Sequence, residues 1–183
     1  MRNKKIILLF LITLFAQNIN KAQLKNPVIG ASLGGGEIRG NSNGLSAFSG
    51  EFFTGSSLWF SNDVQFRVGF IFSRKVEYFL PENRLGKYYP FIKVIYLKAV
   101  INQQLNDLLF VEEGAGILTI NDRIFVDTNV WDYGAGFHVL LGLDFTSPES
   151  TGIKVSSGID SGVTFNNTSA NYFLFIVQLQ YML

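Results

Sequence analysis

Apolar and polar residues alternate one by one along most of this chain. In one run Val64, Phe66, Val68, Phe70 and Phe72 alternate with Gln65, Arg67, Gly69, Ile71 and Ser73. In a second, Tyr133, Ala135, Phe137, Val139, Leu141, Leu143 and Phe145 alternate with Gly134, Gly136, His138, Leu140, Gly142 and Asp144. A third closes the sequence: Phe173, Phe175, Val177, Leu179, Tyr181 and Leu183 alternate with Tyr172, Leu174, Ile176, Gln178 and Gln180. Successive strand side chains point to opposite faces, so each run predicts a strand with one wholly apolar face.

Applied to the rest of the chain, the pattern predicts eight strands. They cover Pro27–Ile38, Leu45–Phe60, Val64 toward Tyr78, Pro90 to about Gln103, Leu108–Ile120, Tyr133–Phe145, Gly152–Phe165 and Asn171–Leu183. In the second, Ala47, Ser49, Glu51 and Phe53 share a face opposite Phe48 and Phe52; in the seventh, Lys154, Ser156, Asp160 and Thr164 oppose Ile153, Val155, Ile159 and Val163. The fourth is ambiguous, because Ile92, Val94, Tyr96 and Val100 share a face with Lys98, and Phe91, Ile95, Leu97 and Ala99 share one with Lys93. The first set is expected outward, with Lys98 snorkelling to an interface. Ser61–Asp63, Asn102–Asp107 and Thr146–Ser150 read as short turns. Residues 39–44, 79–89, 121–131 and 166–171 read as longer loops at the opposite end.

An apolar strand ending at a terminus needs cover, and an open edge invites aggregation. A closed barrel in lipid removes both problems. An even strand number, with short turns at one end and longer loops at the other, gives an all-β, eight-stranded antiparallel up-and-down transmembrane barrel. A soluble lipocalin-like barrel would hold its apolar set inward around a ligand. The polar set is rich in glycine and small residues, which suits a narrow interior, whereas the apolar set is bulky and aromatic. That contrast favours the membrane.

The amphipathic closing strand resembles that of small bacterial outer-membrane β-barrels, which ends on an aromatic or aliphatic residue, usually Phe, where this chain has Leu183. The stretch FVEEGAGILTINDRIF, followed by YGAGFHVLLGLDF, resembles OmpX-like proteins and, more distantly, the lipid A deacylase barrels. The first resemblance implies outer-membrane lipid and lipopolysaccharide as surroundings, and the barrel-assembly machinery as a partner of the closing strand. The second implies an esterase with a His-x-Ser pair and a nearby acid. Here the corresponding strand offers Lys154-Val155-Ser156, and His138 is followed by Val139-Leu140, so the architecture carries over and the activity does not.

Residues 1–22 add an address. Arg2, Lys4 and Lys5 precede the apolar run Ile6–Ala16, and Ala22 offers a cleavage point before Gln23, which predicts a secretory signal peptide followed by a barrel domain at 23–183. A leader followed by Gln is a style common in Bacteroidetes proteins, and the localisation it implies is the outer membrane of a Gram-negative cell. Removing Arg2, Lys4, Lys5 and Lys21 leaves 11 basic against 14 acidic side chains, with no basic patch for nucleic acid. With no cysteine there is neither a lipidated thiol nor a disulfide framework.

Candidate chemistry is sparse. His138 is the only histidine, and it is expected to bond to Asp144, Glu112 or Glu113 rather than act as a base. Glu51, Arg67, His138, Asp144, Lys154 and Asp160 are expected to form a polar network inside a barrel too narrow for a channel. No metal-ligand spacing is present and no cofactor is implied. A hairpin centred on Thr146–Ser150 would oppose His138 with about Gly158 and leave Ser156 diagonal to it, so these two remain weak catalytic candidates. The expected function is non-enzymatic: loops serving envelope stability, adhesion or partner binding, ligand unknown. The alternatives are a lipid-modifying enzyme related to lipid A deacylase (acyloxyacyl hydrolase-like) and the soluble ligand-binding barrel.

Overall fold

Eight antiparallel strands close into one barrel in the computed structural model, which describes residues 25–40, 43–58, 61–80, 90–125, 129–146, 151–166 and 169–183. The predicted leader lies outside the described residues. The strands are β1 (Lys25–Arg39), β2 (Leu45–Leu58), β3 (Ser61–Lys75), β4 (Phe91–Gln104), β5 (Leu109–Arg123), β6 (Val130–Thr146), β7 (Gly152–Thr164) and β8 (Asn171–Met182). Each pairs with its sequence neighbours, and β8 closes on β1 from Val28↔Met182 to Arg39↔Asn171.

The two faces of this wall differ in chemistry. Phe66, Phe70, Phe137, Leu141, Phe173 and Val177 stand on the outside, 40–60% exposed. Gln65, Arg67, His138, Lys154, Ser156, Asp160 and Gln178 stand inside, each at most 8% exposed. Within the barrel, the loop end is filled by an apolar cluster including Ile38, Ile71, Ile92, Ile120 and Tyr172.

Several expected details are corrected. In β4 the faces are reversed: Ile92, Val94, Tyr96, Lys98 and Val100 are inside, and Ile95 and Leu97 are exposed outside. The register explains this, since Arg67 lies opposite Lys98 and Gly69 opposite Tyr96, so that β4 shares its inward set with β3. Lys98 therefore does not snorkel. β3 begins at Ser61, so Ser61–Asp63 belong to the strand and not to a turn; it ends at Lys75, and Val76–Phe79 form a 3-10 turn. β5 runs on to Arg123 and β6 starts at Val130, which shortens the third loop. β4 runs to Gln104, so the turn expected at Asn102–Asp107 covers 105–108, where Asn106 Oδ1 accepts the N–H groups of Leu108 and Leu109 at 2.9 and 2.7 Å. Of the turn expected at Thr146–Ser150, residues 147–150 lie outside the described residues.

Candidate functional site: the interior polar network

Seven strands, β2 to β8, contribute charged or strongly polar side chains to the barrel axis. At the centre, Arg67 of β3 and Glu112 of β5 form a two-pronged ion pair, with Nη1 to Oε1 at 2.6 Å and Nη2 to Oε2 at 2.7 Å. Gln180 Nε2 donates to Glu112 Oε2 at 2.7 Å and Gln178 Nε2 to Oε1 at 3.0 Å. These four bonds occupy the lone pairs that a carboxylate offers. Arg67 donates further to Gln180 Oε1 at 3.0 Å and Gln65 Oε1 at 3.1 Å, and its guanidinium lies over the Phe53 ring. The pair is held on every side.

A second pair lies beside it. Lys98 Nζ donates to both oxygens of Asp160, at 2.9 and 2.8 Å, and Tyr172 donates its hydroxyl to Asp160 Oδ1 at 3.2 Å. Among the described residues Glu51 has no cation within ion-pair distance; Tyr96 and Ser32 donate hydroxyls to its two oxygens. Removing a carboxylate from water requires such compensation, and here hydroxyls supply it.

His138 joins the two pairs. Its Nδ1 lies 3.4 Å from Lys98 Nζ, and its Nε2 lies 3.3 Å from Glu112 Oε1, a close polar contact not aligned well enough to be a hydrogen bond. An ammonium only donates, so Nδ1 is the acceptor and Nε2 carries the proton, an assignment made from the network. Glycine makes room for the ring: a Cβ at Gly114 would lie 2.4 Å from His138 Cε1, and one at Gly69 would lie 2.3 Å from Tyr96 Cζ. Two glycines of the polar set thus make room for rings of the network.

Lys154 and Asp144 pair separately, at 2.8 Å, near the short-turn end, where Asp144 Oδ1 also accepts the Thr146 N–H and hydroxyl. The structure thus brings Glu51, Arg67, His138 and Asp160 into one neighbourhood and sets Asp144 and Lys154 apart. Lys98, Tyr96, Tyr172 and Gln180 are functional members that the sequence reasoning missed. The tandem Glu112-Glu113 was a signal for one inward carboxylate, though not for which of the two.

His138 and Ser156 each bond to other partners. His138 lies opposite Asp160 and Ser156 opposite Gly142, so the hairpin register differs by two residues from the expected one, and the diagonal placement is corrected. Ser156 Oγ instead accepts from Gln178 Nε2 at 3.4 Å. The acceptor nitrogen of His138 is engaged by Lys98 and not by that hydroxyl. Among the described residues, no group of three or more His, Asp or Glu side chains is placed to hold a metal ion. The network ties strands from opposite sides of the barrel together across its axis.

The barrel is similar to several solved structures. Neisserial surface protein A matches with a TM-score of 0.71 at 10% identity, covering 88% of this chain and 99% of that one. The N-terminal β-barrel domain of Pseudomonas aeruginosa OprF matches at 0.56 and 14% identity, covering 88% and 100%. Ail, the attachment invasion locus protein of Yersinia pestis, matches at 0.51 and 10% identity, covering 87% and 100%. The shared feature is the fold of small eight-stranded outer-membrane barrels. No family model matches the chain, and no curated protein matches it in sequence.

Proposed function

We propose that the chain is a non-enzymatic outer-membrane protein, a plugged barrel that anchors its loops at the cell surface for adhesion, envelope stability or partner binding. The observation carrying this is the inverted wall: Phe52, Tyr133 and Ile117 face outward at 73, 73 and 68% exposure, while Arg67, Lys98 and Glu112 are fully buried. Exposed apolar surface on this scale is costly in water and suited to hydrocarbon. Export by residues 1–22 in a Gram-negative cell, and recognition of β8 by the barrel-assembly machinery, belong to the same reading. The name of the Yersinia protein, which refers to attachment, supports the adhesion role among the three.

A lipocalin-like binder would need an apolar cavity where the ion pairs sit, and a deacylase would need a base at Ser156. The test is reconstitution of the full chain. In phosphatidylcholine vesicles it should insert, resist protease along its strands, and give no stepwise conductance across a planar bilayer. A protein that stays soluble and monomeric without lipid or detergent would overturn the membrane reading. Steady conductance would overturn the plug. Lipid A deacylation lost in both folded His138→Ala and Ser156→Ala would overturn the non-enzymatic role.

A further inference from the structure

The outer wall at the loop end of β3, β4 and β5 carries a cluster of cations that the interior network does not use. Cross-strand register places Arg74 beside Phe91 and Phe91 beside Arg123, with Phe72 beside Lys93 two residues below. All five project outward. Lys93 Nζ lies 5.6 Å and Arg123 Cζ 5.9 Å from the centroid of the same Phe91 ring, on which Phe72 packs at 5.5 Å. Neither Lys93 nor Arg123 has a carboxylate within ion-pair distance among the described residues. Among the described residues, Asp122 turns inward and accepts the Ile124 N–H, and Glu77 binds Lys75.

Directly below the cluster lies an apolar groove of about 510 Å³, lined on the outer wall by Val68, Ile95, Leu97, Ile117, Tyr133 and Phe165. Cations above and a greasy groove beneath describe an amphiphile with an anionic head. We propose that this wall binds one phosphorylated lipid of the surrounding leaflet. Lys93 and Arg123, with Arg74 beside them, take the phosphate, and an acyl chain lies in the groove.

The chemistry fits each part. A guanidinium offers a planar fork that matches phosphate oxygens, and an ammonium adds a point charge. Holding both against one aromatic ring reduces the ordering cost when the anion arrives. Cations at the edge of hydrocarbon lack the solvation of bulk water, and a phosphate at the same depth restores it. Arg39, an outward cation at the same end of β1, is separated from this cluster and follows an outward Glu37.

This inference rests on the proposed membrane reading with the loops at the phosphate-bearing surface, and the experiment separates the two. The full chain is placed in phosphatidylcholine nanodiscs doped with diphosphorylated lipid A or with the same lipid stripped of phosphate. Lipid retained on the released protein is counted by native mass spectrometry. The wild type should retain the phosphorylated form about tenfold over the stripped one, and Lys93→Gln with Arg123→Gln should abolish that preference. Arg39→Gln should leave it intact. If the double variant does not fold, Lys93→Gln alone carries the test, with a several-fold drop expected. A folded double variant that keeps the preference overturns the site, as does an equal loss in Arg39→Gln, which would mark diffuse attraction to the whole rim. Insertion of the wild type with no phosphate preference overturns the site alone; failure to insert overturns the membrane reading with it.

Discussion

Glu112 and Glu113 are consecutive and chemically identical, yet they occupy opposite environments. Glu112 is fully buried and bonded to Arg67, Gln178 and Gln180, whereas Glu113 is exposed on the outer wall beside Ile101 and Val139. β4 repeats the comparison with Lys98, locked to Asp160, and Lys93, resting on Phe91. Residue type does not set the role of a charge here. The face of the strand does, because one face has fixed partners and the other has only lipid, interface or water to meet.

The sharpest way to break this comparison is to remove one member of the central pair. Glu112→Leu leaves a buried guanidinium without its carboxylate and should cost roughly 3–5 kcal/mol, measured by denaturant unfolding in lipid vesicles. Pairing it with Arg67→Met should recover much of the loss. A double variant as damaged as the single one would show that the pair is not the source.

Next in size is a charge placed on the outer wall. Val177→Arg or Phe70→Arg, near the middle of the apolar belt, should cost roughly 2–4 kcal/mol in the same assay. A negligible change in lipid would argue that this face does not meet hydrocarbon. Overpacking the interior comes third: Gly114→Ala pushes a methyl into His138, with an expected loss of about 1–3 kcal/mol. The smallest effect belongs to Glu113→Gln, expected within about 0.5 kcal/mol. If Glu113→Gln matched Glu112→Leu, the two walls would not differ as described.

Much of the barrel was legible in the chain because a period of two survives across it, especially in β3, β6 and β8. The failure at β4 has a physical reason. Both of its faces are mostly apolar with one lysine each, so alternation carries no preference there. What decides is the pairing with β3 and an aspartate 62 positions away, Asp160, and neither is local information. The β6–β7 register was off by two residues for a related reason. The strands extend to Thr146 and resume at Gly152, and turn residues alone do not give that stagger. Glu51, Arg67, His138 and Asp160 could be placed inside from their own strands, whereas Tyr96, Tyr172 and Gln180 gain meaning only from the carboxylates they reach.

The seam between β1 and β8 sets an order of events in time. Every other strand pair joins sequence neighbours through a short or moderate loop, but the seam matches Val28 with Met182. Bringing such distant segments together has the largest loop-closure entropy of any pairing in the chain unless the intervening strands have already assembled. Assembly is therefore expected to proceed as a growing curved sheet of hairpins with the seam closing last. Until it does, β1 and β8 both present unpaired edges, and the glycines of β1 are the positions where β8 must approach most closely: a Cβ at Gly36 would lie 2.0 Å from the Phe173 carbonyl oxygen. A single methyl group there would act less on the finished barrel's chemistry than on whether the circle closes at all.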